Sequence, residues 1–232
     1  MSAVYRLPVS GQALKVSAVA GAVLVVAVLI GVYVTFLTNG PTPYTVPSAS
    51  AAGKPTSVNL TLQTVAAVGP TLSPNPNWVS YLVRENGVWR RSTVWELPAN
   101  AVVHVTVYNF DGRSGLRNPF LAQARGIVGG TFTIDGKPAK VIKPDDASHT
   151  FAIPALGVIV PIFGVADDAK NQCSLAPCTA AEAHRTITFT FKTGKRGTYR
   201  WQCLVPCAAG FILGFGGPMQ SLGYMDGQLQ VV

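Results

Sequence analysis

The stretch Thr198-Tyr-Arg-Trp-Gln-Cys-Leu-Val-Pro-Cys207 is followed by a glycine-rich loop and then by Gly217-Pro-Met-Gln-Ser-Leu-Gly-Tyr-Met-Asp-Gly-Gln-Leu-Gln-Val-Val232, the end of the chain. Alternation makes the first part a strand, with Tyr199, Trp201 and Cys203 on one face, so the period that buries the aromatics also turns Cys203 inward. Cys207 follows four positions on. Met219 and Met225 bracket the end of the loop, and a last strand closes the domain. Soft sulfur donors held in one loop between two strands are the ligand type that copper selects.

Upstream, Thr186-Ile-Thr-Phe-Thr-Phe191 alternates strictly and places Ile187, Phe189 and Phe191 inward. Lys195-Arg-Gly197 turns that strand into the last hairpin. Ala147-Ser-His-Thr-Phe-Ala-Ile153 is a further strand, in which His149 shares a face with Phe151 and Ile153 and points inward. In Val102-Val-His-Val-Thr-Val-Tyr108 the valines 103, 105 and 107 share one face, so His104 lies on the other, as a surface residue. Trp78–Val83 and Val88–Trp95 flank Glu85-Asn-Gly87, a hairpin signal, and Thr131–Ile134 pairs with Ala139–Ile142 around Asp135-Gly136. Residues 111–130 read as an irregular loop. Many short strands between regular turns predict an all-β Greek-key sandwich over residues 57–232.

The pattern resembles a cupredoxin, and more narrowly the outer domain of subunit II of haem–copper oxidases (cytochrome c or quinol oxidases). His149-Thr-Phe-Ala-Ile-Pro-Ala-Leu-Gly-Val158 resembles the family stretch that carries the first copper-binding histidine. Tyr199–Cys207 resembles its loop with two cysteines four positions apart, which bridge the dinuclear copper A centre. Gly223-Tyr-Met-Asp-Gly-Gln-Leu-Gln-Val-Val232 is closer to blue-copper proteins, where an axial methionine precedes the last strand. The resemblance implies a copper cofactor held by His149, Cys203, Cys207 and Met225, with Met219 as a reserve donor. It also implies electron transfer to membrane-embedded haem-containing or other redox subunits.

The chain departs from both families at one ligand. Blue-copper proteins carry a second histidine where Pro206 to Ala208 stand, and the dinuclear family carries it at the position of Phe211. Here no histidine follows His184. Three outcomes stay open: a variant site on the four residues named, replacement of the lost ligand by His184, or a Cys203–Cys207 disulfide in a copper-free structural subunit, as the resemblance to quinol oxidases allows. Copper delivery is a further alternative, because sulfur-rich ligation with few histidines favours Cu(I).

Val16 to Thr38 contains no charged residue over 23 positions. At about 1.5 Å per residue this spans a bilayer core of about 30 Å. The run exceeds the apolar region of a signal peptide, about 7–15 residues, and the small residues 48–52 lie well beyond it, so an uncleaved anchor in the lipid bilayer is expected. Arg6 and Lys15 precede the run and the next charge is Lys54. The positive-inside rule therefore places residues 1–15 in the cytoplasm, and residues 39–56, a Pro/Ser/Thr/Ala-rich linker, outside a cell membrane with the domain at 57–232.

The net charge is +8, of which Arg6 and Lys15 account for two, leaving +6 on the remainder. Those basic residues are scattered, without the aromatic-interleaved stripe of a nucleic-acid surface. Charged residues make up only 12%, with 23 Gly and 17 Pro, against about 25% charged in ordinary soluble domains; strands and turns are favoured over helices. Cys173 and Cys178 sit five apart in a predicted loop and read as a disulfide in an exported domain. Asp145-Asp146 and Asp167-Asp168 lack calcium-loop spacing. No P-loop, dinucleotide glycine pattern, zinc-protease helix motif or nucleophile motif is present, which disfavours an independent hydrolase or nucleotide enzyme.

Overall fold

The structure is a computed structural model that describes residues 11–38, 57–91, 94–207, 217–219 and 221–232. The expected linker 39–56 and the Phe211 position lie outside them. The chain divides into two compact units, Met1–Asn39 and Gly40–Val232.

Among the described residues, the first unit holds one helix, α1 (Gly11–Thr38). Its segment Lys15–Thr35 is long and apolar enough to cross a membrane, by length and composition. The helix begins one turn before the apolar run, because Gln, Ala, Leu and Lys are good helix formers whether or not they face lipid.

The second unit contains β1 (Ser57–Val65), β2 (Ser80–Glu85), β3 (Val88–Arg91), β4 (Val94–Leu97), β5 (Val102–Asn109), β6 (Phe132–Ile134), β7 (Lys137–Ala139), β8 (Ala147–Ile153), β9 (Val158–Phe163), β10 (Arg185–Lys192), β11 (Gly197–Gln202) and β12 (Asp226–Val231). Seven form one sheet in the order β3-β2-β1-β5-β10-β6-β7, and five form the other in the order β4-β12-β11-β8-β9. The expected all-β sandwich is what forms. β1 and β5 run parallel over eight residue pairs, Ser57↔Val102 to Thr64↔Asn109, and β10 runs antiparallel to β5 with Ile187 opposite Val107 and Phe189 opposite Val105. The alternation read from the sequence holds: these four residues are buried, and His104 is exposed on the outer face against Thr190.

Two strand expectations are corrected. The partner of β6 is Lys137–Ala139 rather than Ala139–Ile142, because Asp135-Gly136 closes a two-residue turn that pairs Ile134 with Lys137. Val88–Trp95 is not a single strand: β3 stays in the first sheet and β4 belongs to the second. Trp89 and Trp95 have the same parity, so one strand would put both on one face. Instead Trp95 is buried between the sheets and Trp89 is half-buried on the outer side of the first sheet. Trp95 then stacks on Trp201 with centroids 4.2 Å apart and planes 3° apart, and on Phe151 at 5.9 Å. Phe151 meets Phe189 edge-on at 5.0 Å, joining the two sheets through one aromatic core.

A second, smaller cluster lies outside the first sheet, around Val65, Val68, Trp78, Leu82, Phe110 and Tyr224. The Cys173–Cys178 disulfide covers it, and the buried Gln63 side chain fixes Cys178 by accepting from its N–H and donating to its carbonyl. Residues 179–183, where helical propensity rises, form a turn instead. The Glu182 carboxylate accepts from the Thr179 N–H and hydroxyl, each at 2.6 Å, and this local bonding replaces a helical one.

Candidate metal centre

β8 begins with a bulge. Ala147 pairs with Phe163 and His149 with Ile162, so Ser148 is the extra residue. A bulge bends its strand and re-aims the neighbouring side chains. It sends His149 inward, buried, toward the end of β11. β11 and β12 pair Gln202 with Asp226, and the ladder continues one step as the Cys203 N–H donates to the Met225 carbonyl at 2.8 Å. Cys203 and Met225 therefore stand opposite one another on antiparallel neighbours, where side chains share a face. Both are buried in the core.

The imidazole and the two sulfurs meet at this point. His149 Nδ1 lies 3.0 Å from Cys207 Sγ, and Cys207 Sγ lies 3.2 Å from Cys203 Sγ. One ligand atom from each of the three residues falls within 4.8 Å of the others, and all three residues are buried. Both cysteines are free thiols, so the expected alternative of a Cys203–Cys207 disulfide is not what the structure forms. Replacement of the missing ligand by His184 is also corrected. His184 sits on the outer side of the first sheet against Tyr108 and Phe110, its Nδ1 2.8 Å from the Glu182 carbonyl. The chain has three histidines; with His104 and His184 placed elsewhere, this centre has a single imidazole. Met219 is half-buried at the edge of the core.

The sequence reading missed three residues at the centre. Asp111 Oδ2 lies 3.0 Å from His149 Nε2, off the N–H axis, as an ion-pair contact. Thr150 donates its N–H to Cys203 Sγ at 3.4 Å, and its hydroxyl accepts from the Leu204 N–H at 2.7 Å, fixing the loop after Cys203. Tyr81 bonds the Thr150 carbonyl at 3.0 Å and packs edge-on against Trp201. A signal for Asp111 existed: the inward parity of β5 runs through Val103, Val105 and Val107 to Asn109 and then Asp111.

The electrostatics follow from this arrangement. Burial works against a charged Cys203, but the Cys207 thiol, His149 and the Thr150 N–H outweigh it and hold Cys203 well below an ordinary thiol. Cys207 moves the opposite way, pushed up by the Cys203 sulfur and by burial. Burial also opposes charge on His149, yet Asp111 and the charged Cys203 carry it up to about 9. The sulfur nearest Nδ1 is Cys207 and the charged one is Cys203. Burial likewise opposes the Asp111 carboxylate, and His149 with the Gly112 N–H brings it below the usual range. These directions favour charge on His149 and Cys203 over charge on Cys207.

This donor set fits copper. Two soft sulfurs and one imidazole select it over hard cations. The three donor atoms lie within 4.8 Å of one another, close enough to share one metal ion. Asp111 marks the Nε2 side for the proton, which leaves the Nδ1 lone pair toward the sulfurs.

No family model matches the chain, and no curated protein does. Among solved structures it is similar to a copper protein, rusticyanin, at 18% identity over 89% of this chain and 94% of that one, with a TM-score of 0.34. A rusticyanin from Thiobacillus ferrooxidans gives 17% identity over 88% and 92%, with a TM-score of 0.31. A multi-copper oxidase from Pediococcus acidilactici gives 11% over 84% of this chain and 31% of that one, with a TM-score of 0.30. The strand order and the buried cluster carry the reading that follows.

Proposed function

We propose that the chain is a membrane-anchored redox subunit whose C-terminal domain holds copper on His149, Cys203 and Cys207, with Met225 as a weak fourth donor. The observation that carries this is the convergence of one imidazole and two free thiols, all buried, within 4.8 Å. Copper bound there supplies one-electron transfer between Cu(I) and Cu(II). The chain's own residues supply the rest. The bulge at Ser148 and the Asp111 carboxylate fix the imidazole, the Thr150 N–H and hydroxyl fix Cys203 and the start of its loop, and the backbone bond to Met225 sets the second sulfur strand. Ligands on two packed strands and a short loop change little in geometry between oxidation states, which is what fast electron transfer requires.

The physiological role we propose is that of an oxidase subunit II-like component of a respiratory or related membrane complex. It takes electrons from an outer donor and passes them to a haem-containing partner in the bilayer. The apolar Lys15–Thr35 segment supports anchoring, and the charges at Arg6 and Lys15 support an outer location for the domain. The test uses the full chain in detergent, loaded with copper, with optical and electron paramagnetic resonance spectra recorded beside intact mass under non-reducing conditions. A sulfur-to-copper charge-transfer band that disappears in Cys203→Ser is expected. Failure to take up copper, with a mass showing both cysteine pairs oxidised, would overturn the proposal in favour of a structural subunit.

A further inference from the structure

A polar cleft of about 270 Å³ runs beside the cluster. Its walls come from three separated stretches: Asn77 before β2, Asp111 and Ser114 after β5, and Ser148, His149 and Cys207 at the centre itself. Three features set its chemistry. It reaches two of the three donors: His149 and Cys207 line it and Cys203 does not. Ser148, the bulge residue, places a buried hydroxyl in its wall with no hydrogen-bond partner; such a group is costly to leave unbonded unless something in the cleft bonds it. Its charged groups are paired: Arg113 with Asp146 at 3.4 Å, and Asp111, one-quarter exposed, with His149 at 3.0 Å. Among the described residues, no cation on its wall therefore stands without a carboxylate beside it to screen an entering metal ion from repulsion.

We infer that this cleft is the port through which Cu(I) is loaded into the cluster and withdrawn from it. The inference rests on the copper reading and adds a route and an order. His149 Nδ1 and Cys207 Sγ, 3.0 Å apart, are met first; Cys203, 3.2 Å beyond Cys207, completes the sphere. The metal passes as Cu(I) throughout, so no electron moves. Bonds to the donor's ligands break as bonds to nitrogen and sulfur form, and the protons on Cys207 and His149 leave to solvent along the same cleft. A cleft that reaches two of the buried donors makes exchange with an external thiolate or chelator faster than a fully enclosed site would allow.

The test follows Cu(I) transfer between a coloured Cu(I) chelator and the full-length protein in detergent, by stopped flow in both directions. Ala66 and Asn77 are exposed residues lining the mouth, so Ala66→Trp and Asn77→Trp narrow it without disturbing a donor. Uptake and release are both expected to slow by tenfold or more with the affinity unchanged, because a narrowed port alters rates and not end states. Thr198→Trp adds the same bulk at the far end of β11 and is expected to leave both rates at the wild-type value. Wild-type rates in the mouth-filling variants with affinity intact would overturn the port, as would slowed uptake accompanied by an equal loss of affinity. A wild-type protein that takes up no Cu(I) overturns the copper reading itself, a separate outcome.

Discussion

Asp111 Oδ2 stands 3.0 Å from His149 Nε2, on the opposite side of the imidazole from Cys207 Sγ at Nδ1. The ring is thus held between a carboxylate and a sulfur, and its two nitrogens have separate duties. Removing an outer partner of this kind typically lowers metal affinity about 10–100-fold. Asp111→Ala is expected to weaken copper binding by that amount in competition titrations. Asp111→Asn keeps a polar oxygen beside Nε2 without the charge and should lose less. Wild-type affinity in both variants would remove Asp111 from the centre.

The same contact predicts a pH dependence in the metal-free protein. His149 titrates at about 9 in the folded state against about 6.5 unfolded. A raised cationic group adds stability that is full below the unfolded value and is lost as pH rises through the folded one. The stability advantage of wild type over Asp111→Asn should therefore be largest between about pH 5 and 6.5 and disappear as pH passes about 9. Thermal melts of both proteins across that window, with the His149 ring followed by NMR, check it. An advantage that grows with pH would contradict the imidazolium assignment.

The sandwich and the core were legible because alternation in β5, β10 and β11 is strict, and burial in one sheet leaves no other register. The same logic placed His149 and Cys203 inward and His104 outward. What the sequence did not show came from non-local geometry. Asp111 meets His149 only because the chain leaving β5 in one sheet reaches the start of β8 in the other, and it lies just past the last apolar residue, where periodicity is easily cut short. The sheet change between Trp89 and Trp95 left no turn signal. His184 lies near the centre in sequence order, yet the strand it precedes puts it across a sheet.

Met225 offers a sharper test of the ligand set. It stands opposite Cys203 and is fully buried, so either packing or ligation explains the position. Leucine matches methionine in volume, and such swaps cost less than about 1.5 kcal/mol. Met225→Leu should therefore fold, bind copper, and show a shifted charge-transfer band and reduction potential if the thioether is a donor. An unchanged spectrum and potential would reduce Met225 to a core residue.

The β11–β12 hairpin that carries Cys203 and Met225 is held by a further pair. Arg200 donates to both oxygens of Asp226, Nε to Oδ1 at 2.7 Å and Nη2 to Oδ2 at 2.5 Å. Asp226 is 2% exposed, whereas the arginine side chain is 57% exposed. Solvent screening of the exposed partner makes the attraction itself modest, so most of the effect of a deletion comes from the carboxylate left behind. Arg200→Ala strands a buried charge and should cost about 2 kcal/mol. Asp226→Asn in the same chain removes that charge and should recover a large part of the loss. Chemical denaturation of the two single variants and the double variant measures the coupling directly. An Arg200→Ala variant within about 0.5 kcal/mol of wild type, in the range of ordinary surface substitutions, would show that the pair does not hold the strand that presents the sulfurs.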